Sequence, residues 1–592
     1  MAKPPLIIAG ASGYWGEAPH ATGQLLTTPG LNVLVYDYLA EITMSILARA
    51  RMKDATAGYA TDFVTDAMAG NLAVIAEKRV KVLSNAGGVN PHACADAVRA
   101  LVEKAGLDLT IAVVEGDDLL PDVAEFTGRT EMFDGSAFPE PDKVASINAY
   151  LGAWPVAAAL DAGADIVITG RVADSALALA ACLHHFDWSA TEYDLLAAGA
   201  LAGHLLECGP QATGGNFTDW EQAENLADIG YPVAEIAADG TFVVTKPPRT
   251  AGIVSPASVG EQMLYEIGDP QAYVLPDVIC DFSGVDLRQD GPDRVLVSGA
   301  RGRPPTGRLK VSATFLDGYR AGQVLQFNGR DARAKARAFV EMGLARARRR
   351  LKALGAPDYV DTSIELFGGR PPDSDDEQIT VKVAVRHADA RAVDLFLKEL
   401  IGGALATPPG LHFFTGGGRP RPSPVMRLFS FLVDAAGVSV TVTLDDRDIG
   451  YRMPVLTPRD DVVPSRPPVP VAQVDGAETV TRRLEDLAWA RSGDKGDDAN
   501  IGVMARHAAL LPWIWRALDE TAVSDAFRPW LKGDVERFYL PGIHVMNIVL
   551  HAALGGGGVA SLLNDAQGKS YAQILLSLPV ELPAALAEEG DA

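Results

Sequence analysis

What most limits the fold of this chain is a rhythm in its first third: short apolar runs, each ending in glycine or polar residues, with helical periodicity between them. The runs cover residues 6–9, 31–36, 80–84, 109–114 and 165–168, with helical patterns at 40–52, at 91–104 and up to His185. Strands that alternate with helices predict an α/β domain, a mostly parallel sheet flanked by helices on both faces. Ligands bind such sheets at the carboxyl ends of the strands. That edge collects the loop 10–16, Asp37, and the segments 85–91, 115–118 and 169–174. Within it, Asn90 reads as an N-cap with Pro91 opening the next helix, and Asp174 or Ser175 as the cap of the helix ending near His185.

Residues 251–462 read as a second α+β domain that completes the main body. Alternating strand patterns at 294–298, 309–315, 364–367, 379–385 and 426–432 surround helical patterns at 332–354 and 390–401. The glycines of 415–418 read as a turn. Prolines 464, 467, 468 and 470 mark an extended linker over 463–478. The tail, 479–592, predicts a small α+β domain with strands at 484–490, 499–505, 535–540, 545–550 and 574–578 and a helix over 510–521. The first domain is therefore expected over 1–250.

Charge and cysteine usage narrow the function classes. A net charge of −24 argues against a nucleic-acid partner, because phosphate binding needs concentrated Lys and Arg. Four widely spaced cysteines form neither a disulfide framework nor a Cys-x-x-Cys knuckle, which fits a reducing cytoplasm. No stretch approaches the ~20 apolar residues that span a bilayer, and the N-terminal apolar run is too short for a signal segment. A cytoplasmic enzyme or binding protein without membrane association is expected.

The densest chemistry lies between two helical patterns, at Glu207-Cys208-Gly209-Pro210-Gln211-Ala212-Thr213-Gly214-Gly215-Asn216-Phe217. Glu207 is a candidate proton-transfer residue, and Cys208, with His204 one turn earlier, a candidate nucleophile. The backbone of Gly214 and Gly215 offers an oxyanion cradle, with Gln211 and Asn216 to orient substrate. Asp117 and Asp118 supply paired carboxylates for acid/base work, or oxygen ligands for a hard divalent cation. No His/Cys cluster has zinc spacing, so no metal residues are assigned. Asn85 and Asn90 are candidate substrate ligands. Arg171, beside Asp174, could clamp a carboxylate or phosphate, and so could Lys246. Gly10, Gly13 and Gly16 with Asp37 leave two readings open, a dinucleotide fingerprint with a poor helix after it, or an anion contact through Gly13. In the tail, Arg491-Ser492-Gly493-Asp494-Lys495-Gly496 joins two strands and reads as a docking or site-forming hairpin.

Several of these blocks resemble the acyclic terpene utilisation (AtuA-like) family: residues 10–16, 37–41, 85–91, 115–118, 168–175, 207–217 and 261–270. The tail, through Arg491–Gly496 and Pro541-Gly542-Ile543-His544, is similar to the ferredoxin-like domain that ends longer members. The resemblance implies a place in the catabolism of acyclic terpenoids such as citronellol and geraniol, which runs through branched acyl-CoA thioesters. It implies no residue roles. The leading expectation is an enzyme acting on an acyl-CoA thioester or related carboxylate by hydration, isomerisation or hydrolysis. The alternatives are an NAD(P)-dependent oxidoreductase using the loop 10–16, and a non-catalytic assembly or CoA-ester-binding subunit. The tail domain makes a homo-oligomer the expected assembly.

Overall fold

The computed structural model describes residues 3–17, 19–369, 377–413, 420–454, 464–473, 478–558 and 560–589. The 415–418 turn lies outside them. At the centre of the fold five strands lie side by side and parallel: Leu6–Gly10, Val33–Tyr36, Lys81–Ser84, Ile166–Thr169 and Ile111–Glu115. They are short, almost wholly buried aliphatic runs, as strands covered on both faces must be. The order breaks from chain order once, where Ile166–Thr169 inserts between Lys81–Ser84 and Ile111–Glu115. That insertion delivers the loop 170–175 between the loops that follow Lys81–Ser84 and Ile111–Glu115 at the carboxyl edge.

Antiparallel strands extend both edges. Val233–Ile236, Phe242–Thr245, Val295–Ser298 and Asp286–Gln289 follow on one side, Thr441–Leu444 and Arg447–Asp448 on the other. Among the described residues the sheet has eleven strands, parallel only at its centre, and the strand expected near 294–298 belongs to it rather than to a second layer. A strand without clear alternation in the sequence, Val144–Ala149, pairs instead with the long strand Arg308–Gly329.

The chain divides into two compact units, 1–314 with 429–553 and 568–592, and 315–428 with 554–567. The expected boundary at 251 therefore falls inside the first unit. In the second, helices Ala332–Ala353 and Ala390–Gly402 cover a sheet that includes Asp361–Gly369 and Glu377–His387, around Phe327, Phe339, Val383 and Phe396. Within the first unit the C-terminal segment forms a four-stranded antiparallel sheet, ordered Ala488–Lys495, Asp498–Ala505, Val545–Leu550, Val535–Leu540. The expected strand at 574–578 is instead the helix Tyr571–Leu576 followed by the strand Pro579–Pro583. The expected helix 510–521 is two, Leu511–Ala517 and Glu520–Phe527, the second capped by Asp519. No helix among the described residues is long and apolar enough to cross a membrane.

Glycine at the first strand's end is a packing requirement. A Cβ on Gly10 would meet the Leu206 carbonyl, and one on Gly13 would lie 2.9 Å from the Glu207 carbonyl oxygen. The loop 10–16 thus seats the end of the helix Tyr193–Leu206 rather than leaving room for a pyrophosphate, and the next helix, Ala21–Leu25, is only five residues long. Gly10→Ala is expected to lower stability by about 1–3 kcal/mol through overpacking. Gly23→Ala, in a helix where the added carbon meets nothing closer than 3.7 Å, should be neutral or stabilising by up to about 1 kcal/mol. Thermal denaturation of the two variants checks both.

Candidate functional site

Three chain-distant carboxylates converge at the carboxyl edge. Asp37 ends the second strand, Asp174 lies in the loop after Ile166–Thr169, and Glu207 ends the helix Tyr193–Leu206. One oxygen from each lies within 4.8 Å of the others. Asp37 is held by Asn85, whose amide donates to it at 2.6 Å and accepts from the Tyr38 N–H at 2.8 Å. Burial pushes the Asp37 carboxyl well up, and Asp174 adds to the rise while Arg171 opposes it.

Arg171 balances the acids. Its side chain is only 4% exposed, its Nη1 donates to Asp174 at 2.7 Å, and its guanidinium lies 4.1 Å from the centre of the Tyr150 ring. Its Nε is buried without a hydrogen-bond partner. Lys310 covers the same ring at 4.8 Å. The Tyr150 hydroxyl donates to Glu41 at 2.5 Å. Burial works to raise Glu41, yet Lys310, Arg171 and this hydroxyl outweigh it and hold the carboxyl at about 2.

Glu207 and His204 form a second pair. His204 is 1% exposed; its Nδ1 lies 3.0 Å from Glu207 Oε1 and its Nε2 3.1 Å from the Met263 carbonyl. A carbonyl only accepts, so Nε2 carries a hydrogen, and the contact to Glu207 then needs one further proton, on either Nδ1 or Oε1. Burial pushes Glu207 up to about 7 despite His204, with Asp174 and Glu266 adding to the rise. Burial would lower His204, but the charge and hydrogen bond of Glu207 raise it overall. The two therefore share one proton near neutral pH. Glu207 Oε2 is buried and has no hydrogen-bond partner.

The C-terminal sheet reaches the same place. Lys495, at the tip of the hairpin that joins Ala488–Lys495 to Asp498–Ala505, donates to the Glu266 carbonyl at 2.7 Å and lies 5.4 Å from the Tyr273 ring. That ring in turn lies 5.6 Å from His204. Lys495 still meets solvent, yet the protein crowded around it lowers its pKa; Lys310 adds to this while Glu266, Asp174 and Glu207 oppose it. Asn500 donates to the Leu264 carbonyl at 2.7 Å and accepts from Glu266 N–H at 2.9 Å. Asn547 donates to the Ile267 and Gly268 carbonyls. Two buried amides thus hold the turn 264–268 beside the site.

The other expected site residues divide by place. The Gly214 and Gly215 N–H groups both donate to the Pro210 carbonyl, which removes the expected oxyanion cradle. Arg491 binds Gln211 through its side chain and Asn216 through its carbonyl, so neither points at the acids through these groups. Cys208 adjoins Glu207, but burial, then Glu207 and Glu266, push its thiol well up, the opposite of what a thiolate nucleophile needs. Asp117 is buried against the Arg171 N–H and the Asn148 amide, and Asp118 turns away to Arg51 at 3.6 Å. Asn90 is the N-cap residue of the helix Pro91–Ala105 as expected, but its side chain makes no cap bond; its amide bridges the Ala55 and Ala57 carbonyls. Ser175 makes no cap bond either. Lys246 is committed to Thr250 and Asp293. Tyr150, Lys310 and Tyr273 gave no signal in the sequence, and Glu41 only as the end of the block 37–41; Lys495 did, within its charged hairpin.

Among the described residues, Asp37, Asp174 and Glu207 are the one group whose donor atoms could converge on a metal ion. Oxygen donors suit a hard divalent cation, but such an ion would compete with Arg171 for Asp174 and with His204 for Glu207. Asp37 is taken up by Asn85 and by acids, and the glycines before it by Leu206 and Glu207, which leaves the dinucleotide reading without a pyrophosphate seat.

Asp117 has a thermodynamic consequence. Burial raises its pKa from 3.8 to about 7 against its hydrogen bonds from Arg171 and Asn148. The folded state keeps a proton that the unfolded chain releases near pH 4. This group's stability contribution is therefore full below pH 4 and is lost as pH rises to 7, by at most about 4 kcal/mol. Asp117→Asn should flatten the fall in melting temperature between pH 5 and 7, as read by denaturation scans across that range.

Comparison with known proteins gives two matches. The family model described as acyclic terpene utilisation family protein AtuA matches residues 6–444, and that of the AtuA ferredoxin-like domain matches residues 482–581. No curated protein and no solved structure matches the chain.

Proposed function

The chain belongs to the acyclic terpene utilisation family, and from that premise we propose that it is an enzyme moving a proton on a branched acyl-CoA thioester or related carboxylate. The observation that carries the reading is the Glu207–His204 pair, which shares a proton near neutral pH beside Arg171, Lys310 and Lys495. A general base works best when its pKa lies near the operating pH. Glu207, with Oε1 tied to His204 and Oε2 unpartnered, is that base.

Lys495 meets the thioester oxygen as negative charge develops there, because it is more exposed than Lys310 and Arg171, the other cations of this cluster. Arg171 and Tyr150 hold Asp174 and Glu41 in place around it. Proton removal from the carbon next to a thioester carbonyl gives an enolate that expels a β-hydroxide in dehydration. In a 2-enoyl thioester removal from the γ-carbon gives a dienolate that is reprotonated in double-bond isomerisation, and in hydration the same base takes a proton from the water that adds to the β-carbon. Hydrolysis through Cys208 is the weaker branch, because its thiol stays protonated.

Glu207→Gln keeps the shape and removes the base. It should lower turnover of geranoyl-CoA, or exchange of its acidic hydrogens with deuterated water, by about 10²–10⁴-fold. In the wild type, kcat/KM should rise with pH through about 7, and this limb should vanish in the variant. Equal exchange rates in both proteins would remove Glu207 from the chemistry.

A further inference from the structure

Asp118 faces a cavity of about 380 Å³, within the range of small-ligand sites. Its walls come from Ala48 and Met52 of the helix Glu41–Lys53, from Val89, from Leu120, and from Ala145 and Ser146 of the strand Val144–Ala149. We propose that this cavity holds the hydrocarbon chain of the acyl substrate whose thioester end lies at Glu207, an inference that rests on the function proposed above.

Three elements run from the acid cluster to this cavity. The helix begins at Glu41, which is bound to Tyr150 and Lys310, and positions 41, 45, 48 and 52 share one face. At 1.5 Å per residue, Ala48 and Met52 lie about 10 and 17 Å along that face from Glu41. The strand Val144–Ala149 leads directly to Tyr150, the ring under Arg171, and at 3.3 Å per residue Ser146 lies about 13 Å back from it. The third is the loop that starts at Asn85, the partner of Asp37, and reaches the cavity wall at Val89. Helix and strand give the same separation between the polar cluster and the apolar cavity, and they give it independently.

The charges at the cavity point to the same occupant. Arg51 and Asp118 pair with each other at 3.6 Å, and Arg51 also donates to the Val89 carbonyl. The cation's charge is thus offset by Asp118, while the remaining named wall is aliphatic apart from Ser146, whose hydroxyl is engaged with Thr314 at 2.7 Å. An uncharged chain fits such a wall better than a phosphate or nucleotide, because the one cation on it already has its counter-ion.

The test compares geranoyl-CoA with 3-methylcrotonyl-CoA, which carry the same 3-methyl-2-enoyl head and differ only in the tail. Binding to the full chain is measured by calorimetry, for wild type, Ala48→Phe and Ala145→Leu, each checked for an unchanged melting temperature. Wild type should bind the longer thioester at least about tenfold more tightly, given what each buried methylene contributes. Both plugging variants should remove that advantage and leave 3-methylcrotonyl-CoA unchanged. Equal wild-type affinities, or a plug that weakens both thioesters alike or neither, overturn the tail site; Ala145→Leu decides if Ala48→Phe does not fold. The measurement separates from the proposed chemistry: tail discrimination with Glu207-independent exchange retains the site and discards the base, and the reverse result does the opposite.

Discussion

The buried guanidinium of Arg171 is the constraint on which the site depends. A charge removed from water costs several kcal/mol unless it is paired, and Arg171 is 96% covered. It meets that cost with Asp174, with the face of Tyr150 and with the field of Glu41 and Asp37. Each partner comes from a different element, so satisfying one cation brings the second strand's end, the first long helix, the loop 170–175 and the strand Val144–Ala149 to one point. Two polar atoms of the cluster also lack partners: Arg171 Nε and Glu207 Oε2 are both buried without one. Orphaned polar atoms are uncommon in folded proteins, and two in one acid cluster mark a place prepared for something other than itself.

The same cluster shows how environment assigns different roles to like groups. Glu41, surrounded by Lys310, Arg171 and Tyr150, is held ionised; Glu207, buried beside a histidine and facing acids, is raised to about 7. One carboxylate is structural charge and the other is poised for proton transfer, although both are glutamates at element ends. Separation of this kind is how a fold obtains an acid/base group near neutral pH.

The C-terminal domain is built into this arrangement. Asn500 and Asn547 satisfy the backbone of the turn 264–268, where Glu266 adopts a left-handed conformation with φ of 58°. Such a residue costs of order 1 kcal/mol and persists where its surroundings determine it. The amides that fix it belong to the same sheet whose hairpin presents Lys495. Docking of the domain and delivery of the lysine are thus one structural event.

Local pattern carried the parallel centre of the sheet, because buried strands and the helices between them are written in consecutive residues. The five expected strands stand within a residue or two of where periodicity placed them, and the helices at 332–353 and 390–402 likewise. Glu207, Arg171, Asp174, Asn85 and Asp37 were legible as chemistry at a strand or helix end. Pairing was not. Asp117 and Asp118 looked like paired carboxylates for acid/base work because they are adjacent acids after a strand, but one turns in to Asn148 and the other out to Arg51. Gly214 and Gly215 looked like free donors, yet a carbonyl four or five residues earlier in the same turn takes both. The sequence by itself determined which groups sit at the carboxyl edge, since strand ends and loop composition are local properties. Only the tertiary structure decided which of them meet, because contacts such as Asp37 with Glu207, or Lys495 with Glu266, join residues 170 and 229 positions apart, and burial, which sets their protonation, exists only once the chain has closed around them.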